Sequence, residues 1–290
     1  MNAKPISILQ DIEDNIDLVA GQKINGYNED IVIKGGIIRI FNQSGTEQTE
    51  NVPHITKIPV SPLLDIVLGG EGYAPSGRVE DAKSIFGSGS VHSLAWQAVH
   101  GRALYTAVNI KRFKGEDLTQ IPFGERLTLL RTTVQMLNSL GMPITQEVLH
   151  PHFKHQLFSQ VLLAGGEGVV IKSLRGYEND WFKVKRIKTW DVVIMGFTEA
   201  KEGKTGKFKG QIGAIVFGCY NNDGKLIEVG RSSGMDNAQR RDFTDHRESY
   251  IGKVVEVKGD GIGNGGGIVF PRFVRMREDK LATTCFLPRE

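Results

Sequence analysis

Cysteine is scarce in this 290-residue chain, with only Cys219 and Cys285 present. Two cysteines build neither a disulfide framework nor a four-ligand zinc site, so a reducing, cytoplasmic setting is expected. An excess of one charge is lacking as well. The 36 Lys and Arg face 33 Asp and Glu, leaving a net charge of +3. That balance permits a nucleic-acid partner without requiring one. No apolar run approaches the roughly 20 residues of a membrane span, so no membrane association is expected. The opening segment MNAKPISILQDIEDNID is acidic and has no signal-peptide core. Neither an internal repeat nor a long low-complexity tract is present. What remains is a globular composition, 40% hydrophobic and 24% charged, at a length that suggests one large or two ordinary domains.

The residues that organise the chain are Gly21-Gln22-Lys23-Ile24-Asn25-Gly26-Tyr27-Asn28. Lys23 stands in a polar, glycine-containing turn, and residues 1–22 read as a short lead-in. A hairpin follows at once, because Gly35-Gly36 separates two β-branched runs, 31–34 and 37–41. A lysine held against such a sheet has the setting a nucleophilic amine needs, although a surface lysine has the same local sequence. Asn42 to Gly45 reads as a turn. Residues 52–62, broken by three prolines, read as an extended connector. The run 63–71 reads as a buried strand entering a Gly69-Gly70 turn that presents Glu71. Residues 74–93 read as a mobile Gly/Ser-rich loop, and 104–110 as a strand.

Leu127, Leu130, Val134, Leu137 and Leu140 keep helical spacing, with Gly141 as the stop. A second helix is expected from Pro151 to Gly165-Gly166, with Phe153, Leu157, Phe158, Val161 and Leu162 turned inward. Glu167 and Lys172 then flank a short strand. Lys183 and Lys185 share one face of the next, because strand side chains alternate. That pair suits either a solvated edge or a bound phosphate. From about residue 189 the texture changes to short strands, 191–197, 213–220, 225–229, 253–258 and 267–273, between glycine-rich turns. This reads as a small all-β barrel of about 100 residues. Gly261-x-Gly263-x-x-Gly266 is not a dinucleotide site, since strands flank it. Gly203-Lys204-Thr205 is not a P-loop, since Thr198 stands where the first glycine is required.

Together these pieces resemble the covalent nucleotidyltransferases, and most closely the compact ATP-dependent DNA ligases of the bacteriophage type. The nucleophile motif Lys-x-Asp-Gly-x-Arg is similar to Lys23-Ile24-Asn25-Gly26-Tyr27-Asn28, and the acidic strand motif to Leu68-Gly69-Gly70-Glu71. Glu-Gly-x-x-x-Lys is matched from Glu167 to Lys172, and Lys-x-Lys by Lys183 and Lys185. The long C-terminal signature is matched by Pro271-Arg272-Phe273-Val274-Arg275-Met276-Arg277-Glu278-Asp279-Lys280. The motifs fall in family order over nearly the whole chain.

The resemblance implies an α+β adenylation domain over residues 1–188 and an OB-fold domain over residues 189–290. It implies that Lys23 attacks the α-phosphate of ATP, that the AMP passes to the 5′-phosphate of nicked double-stranded DNA, and that the 3′-hydroxyl then closes the strand. Gln22, Asn28, Gln43, Glu71, Val108, Lys183 and Lys185 are implied as ATP/AMP-binding, with Arg277 and Lys280 on the β- and γ-phosphates. Glu167 and Glu71 are implied as ligands of Mg2+ or Mn2+. A monomer in a bacterial or phage-infected cytosol is expected. The chain departs from the family at Asn25 and Gly69, which replace aspartates, and at Asn28 and Gln43, which replace arginines. Val108-Asn109 replaces a Phe-Asp pair. An RNA-strand ligase, a capping-type nucleotidyltransferase and a catalytically weakened DNA-binding relative are the alternatives.

Overall fold

The computed structural model describes residues 1–186, 188–200, 208–259, 261–263 and 265–286. The chain divides into two compact units, Met1–Arg186 and Ile187–Glu290. In chain order the first unit opens with β1 (Asn2–Lys4), α1 (Ile8–Asp11), β2 (Leu18–Gln22), β3 (Tyr27–Lys34) and β4 (Ile37–Asn42). It continues with α2 (Pro53–Thr56), β5 (Asp65–Tyr73), α3 (Val79–Phe86), α4 (Ser90–His100), β6 (Leu104–Phe113) and β7 (Glu116–Asp117). Then come α5 (Phe123–Ser139), β8 (Thr145–Gln146), β9 (Leu149–His150), α6 (Lys154–Leu163), β10 (Gly168–Ser173) and β11 (Phe182–Lys185).

These strands form two sheets, one ordered β1-β11-β10-β2-β9 and one ordered β4-β3-β5-β6-β7, with β8 also on β6. The β3–β4 hairpin forms as its sequence predicts. Gly35 and Gly36 take φ of 60° and 80°, the left-handed pair that a two-residue turn between twisted strands requires. Alternation then turns Ile31 and Ile33 inward to meet Ile38, Ile40, Ile66 and Leu68, with Phe86 of α3 and Val134 and Leu137 of α5 closing the core. Each such fully buried aliphatic side chain contributes roughly 1.5–3 kcal/mol. The helix over 123–139 and its stop at Gly141, with φ 91°, also match the expectation.

Several expectations are corrected. Residues 1–22 are no lead-in, because they supply β1 and β2, and β2 lies between β9 and β10. Residues 53–56 form a helical turn with Pro53 at its start rather than an extended connector. Gly69-Gly70 makes no turn: β5 continues through both, with a register shift against β6 between them. The glycines are there for close approach, since a Cβ on Gly70 would lie 2.6 Å from the Tyr105 ring, and one on Gly69 would lie 2.8 Å from Lys111 Cε. The expected loop at 74–93 is largely helix, because Ala82, Ile85 and Phe86 share one buried face of α3. Its glycines stand at the helix ends, Gly87 after α3 and Gly89 before α4. The helix expected from Pro151 begins at Lys154. Phe153 before it is left-handed, with φ 57°, and 68% exposed, because the buried Lys154 Nζ instead clasps the carbonyls of Glu13 and Pro151.

One core residue of β3 has no apolar reason to be there. Glu29 is fully buried, and among the described residues neither carboxylate oxygen has a hydrogen-bond partner. Burial, then the charges of Asp30 and Glu71, push its pKa up to about 8. The folded chain therefore prefers the neutral acid, whereas the unfolded chain ionises near the ordinary value of 4.5. Stability should fall as pH rises between those two values and then level off, by at most about 3–5 kcal/mol from this group. Glu29→Gln should flatten that slope, leaving stability at pH 5 unchanged and raising it at pH 8.5. Urea unfolding of both proteins at the two pH values reads the difference, and parallel slopes would contradict the assignment.

The second unit contains β12 (Lys188–Glu199), β13 (Ile212–Tyr220), β14 (Leu226–Ser232), α7 (Asn237–Asp245), α8 (Arg247–Tyr250), β15 (Val254–Gly259) and β16 (Arg272–Met276). Its sheet runs β14-β13-β12-β15-β16, all antiparallel. Register shifts after Ile194, Phe217 and Glu256 bend the strands around Val192, Ile215, Phe217, Val255 and Val257. The unit is not purely β. Asp236 caps α7 by accepting from the Ala238 and Gln239 amides, and Phe243 packs edge-on against Tyr250 and Phe273. The last strand lies at 272–276 rather than 267–273. Gly261, Gly263 and Gly266 lie around an Ile262–Ile268 bridge, with the Gly266 amide donating to Gly263 O, as a loop between strands requires. Gly203-Lys204-Thr205 lies outside the described residues.

Candidate active site

The first unit's chain crosses from one sheet to the other between β2 and β3, and Lys23 is the first residue of that crossing. Its amide donates to Gly168 O at 2.8 Å, so the β10 edge continues to hold it. Gly26 ends the crossing because β5 lies against it: a Cβ there would stand 2.5 Å from Gly72 O. Lys23 Nζ reaches Glu167 Oε2 at 2.5 Å, and Lys185 Nζ reaches Oε1 of the same carboxylate at 3.2 Å. Gly168 makes this possible. Its φ of 150° and the 2.2 Å that would separate a Cβ from Val184 O bring the start of β10 close to β11. All three side chains are mostly buried, 17–27% exposed. A carboxylate gripped by two lysines marks a place for competing charge, either a cation on the carboxylate or a phosphate on the amines.

The chain crosses between the sheets a second time at residues 147–148. There β8 pairs with β6 through Thr106 and Ala107, and β9 pairs with β2 through Ala20 and Gly21. Both crossings line one cavity of about 390 Å³, together with Gln22, Tyr73, Thr106, His150, Leu157 and Gly166. Glu147 is bound to Lys172, their side chains 6% and 2% exposed. Lys172 Nζ also lies 4.2 Å from the Trp181 ring centroid. Burial pushes the Glu147 carboxyl up and the Lys172 amine down, and the pairing opposes both shifts. Glu71 pairs across strands with Asn28 and Thr106. Burial pushes its pKa up to about 7, against the pull of Lys23, a hydrogen bond with Asn28 and the charge of Lys172.

The structure thus brings Gln22, Lys23, Glu167 and Lys185 together, with Glu71 close enough to feel the Lys23 charge. Lys183 lies two residues before Lys185 on β11, opposite Val170. Asn28 and Gln43 line a different, open recess of about 540 Å³ with Tyr27, Ser44 and Val79. Val108 lines neither space and packs against the group Val19, Phe123, Val170 and Trp181. Asn109 is buried, accepting from Arg126 Nη1 at 2.5 Å and donating to Glu178 at 3.0 Å. Arg277 and Lys280 belong to the second unit. Arg277 binds Asp191 at 2.7 Å and Asp279 at 2.8 Å, and Lys280 Nζ stands 3.8 Å from Asp191. Sequence reasoning missed Glu147, because two-residue strands leave no periodic signal.

Residues 202–277 match the family model of the DNA ligase OB-like domain. A probable DNA ligase of Mycolicibacterium gilvum is 27% identical over 94% of this chain and 59% of its own length. DNA ligase B of Mycobacterium tuberculosis is 28% identical over 89% of the chain and 56% of its own length. The chain therefore spans a little over half the length of these curated relatives. Among solved structures, a Lig E DNA ligase superposes with a TM-score of 0.66 at 19% identity, covering 92% of this chain and 95% of that one. That likeness shows the fold, an α+β domain followed by an OB-fold domain. Over nearly its whole length the chain resembles DNA ligases in sequence and shares their fold, and residues 202–277 are similar to their OB-like domain.

Proposed function

We propose that the chain is an ATP-dependent DNA ligase that seals nicks in duplex DNA through a lysyl-AMP intermediate. The observation that carries this reading is Lys23 at a sheet-to-sheet crossing, on a carboxylate shared with Lys185, beside a cavity of about 390 Å³. In the first step Lys23 Nζ bonds to the α-phosphorus of ATP while the bond to pyrophosphate breaks. The amine must first leave Glu167 and shed its proton. Lys183 and Lys185 then hold the α-phosphate, and Arg277 and Lys280 the β- and γ-phosphates. The AMP passes to the 5′-phosphate of the nick, and the 3′-hydroxyl displaces it. Such transfers depend on positioning and on stabilising negative charge.

Magnesium suits the donor set. Among the described residues no three His, Cys, Asp or Glu side chains gather into a cage, and magnesium commonly joins one or two carboxylates to nucleotide phosphates. Glu167 and Glu71 would hold it, and it would neutralise charge on the phosphates. Its presence on Glu167 would also release Lys23 from its ion pair. Among the described residues no helix is long and apolar enough to cross a membrane.

Mixing the chain with labelled ATP, GTP and NAD in turn, with magnesium, tests the first step, and only ATP should label the protein. Nicked DNA and nicked RNA compared side by side test the second, with DNA expected to be sealed. Labelling by GTP, or sealing of RNA alone, would favour the capping-type or RNA-ligase alternatives. Failure to label would leave a DNA-binding relative. Binding to nicked DNA should weaken with salt at a slope of about −0.9 in log–log terms per phosphate contacted. It should be indifferent to flanking bases, since backbone contacts carry no sequence information. Salt-independent binding would contradict the role.

A further inference from the structure

Glu147 sits in the second crossing between the sheets, and it is held from both sides. Its amide donates to Ala107 O at 3.0 Å on β6, and the next residues, Leu149 and His150, pair with β2. Its Oε2 is taken by Lys172. Its Oε1 lies where residue 21 has no side chain, 1.9 Å from the position a Cβ on Gly21 would occupy. The carboxylate thus fills a gap in β2 two residues before Lys23, and it lines the same cavity. Thr106, also buried in that lining, is already committed to Thr145 at 2.7 Å and Tyr73 at 3.3 Å. Oε1 is a rigidly placed acceptor, and nearly all of its side chain is shielded from water.

We propose that Glu147 selects the nucleobase, its Oε1 accepting a hydrogen bond from the exocyclic amine of adenine and rejecting purines that carry a keto oxygen there. This rests on the nucleotidyl-transfer reading of the site. Adenine offers an N6 amine as donor, whereas guanine and hypoxanthine present an O6 acceptor in the same place. Two acceptors facing each other in a shielded pocket leave both unpaired, a mismatch that polar sites reject strongly. Gly21 is part of the device, because any side chain there would displace the carboxylate.

The test compares ATP with inosine triphosphate, which carries the keto oxygen in place of the amine. Equilibrium binding is measured on Lys23→Ala, and adduct formation on the chain with Lys23 intact. ATP should be preferred by on the order of 10²-fold in both. Glu147→Gln should shrink that preference to within about fivefold, since an amide can turn its NH2 towards O6. Combining it with Lys172→Met removes the buried lysine left without its carboxylate, and the preference should stay collapsed while the melting temperature recovers. An unchanged preference in Glu147→Gln, or equal use of both nucleotides by the parent chain, would overturn the proposal. ATP-selective binding without any adduct would instead sink the transfer reading and leave Glu147 as the base reader. Binding of neither nucleotide would overturn both.

Discussion

Lys23→Ala should form no stable protein–AMP adduct with ATP and magnesium, and it should stay folded. In the proposed first step the amine becomes bonded to phosphorus, and alanine offers nothing in its place. The fold loses little, because Glu167 keeps Lys185 at 3.2 Å, and the Lys23 backbone bond to Gly168 is untouched. No buried charge is left without a partner by the substitution, so the melting temperature should barely move. Mass spectrometry of the intact protein after incubation with ATP reads the adduct directly. Substantial adduct on this variant would take Lys23 out of the centre of the chemistry.

Arg277→Ala combined with Lys280→Ala should slow adduct formation by roughly 10²–10³-fold and spare the sealing of a nick that already carries AMP. In the proposed reaction pyrophosphate leaves in the first step, so residues that hold it have no later task. Both side chains now rest on Asp191, and Arg277 also on Asp279. The bond to Asp279 and the charge of Asp191 hold Arg277 above its usual range, and the same bond to Arg277 holds Asp279 below its own. The aspartates therefore keep the cations in place until an anion competes for them. Removing both cations leaves Asp191 and Asp279 without these ion pairs, so circular dichroism of the variant must accompany the two assays. Equal loss in both reactions would place the harm in folding or DNA binding, and pyrophosphate handling would have to be dropped.

The parts of the fold legible in the sequence are those with a local cause. Gly35-Gly36 between β-branched runs and the Leu127-to-Gly141 spacing each specify their element within a few residues. The unread parts depend on partners distant in sequence. Gly69-Gly70 looks like a turn until Tyr105 and Lys111 are seen filling the space their missing side chains leave. The helix α7 is different, since its cap, Asp236 followed three residues later by Gln239, is itself a local signal. At the site, Lys23, Glu167 and Lys185 come together because their motifs end or begin neighbouring strands. Glu147 had no such motif. It reaches the cavity through two two-residue strands whose pairing only the assembled sheets reveal.

The strand that leads into Lys23 has consequences for the order in which the protein can form. Lys23 and Glu167 are 144 residues apart in sequence, and β2 finds its neighbours only in β9 and β10. The hairpin β3–β4 and its partner β5 close over short distances and can form while synthesis continues. Pairings this remote raise the contact order and delay the sheet that needs them. As the chain leaves the ribosome, Ala20 must wait for His150 on β9, Val19 for Lys172 on β10, and β1 for β11. Lys23 and Glu167 can therefore meet only late in the making of the first unit, after every strand of it except β10 and β11 has been synthesised.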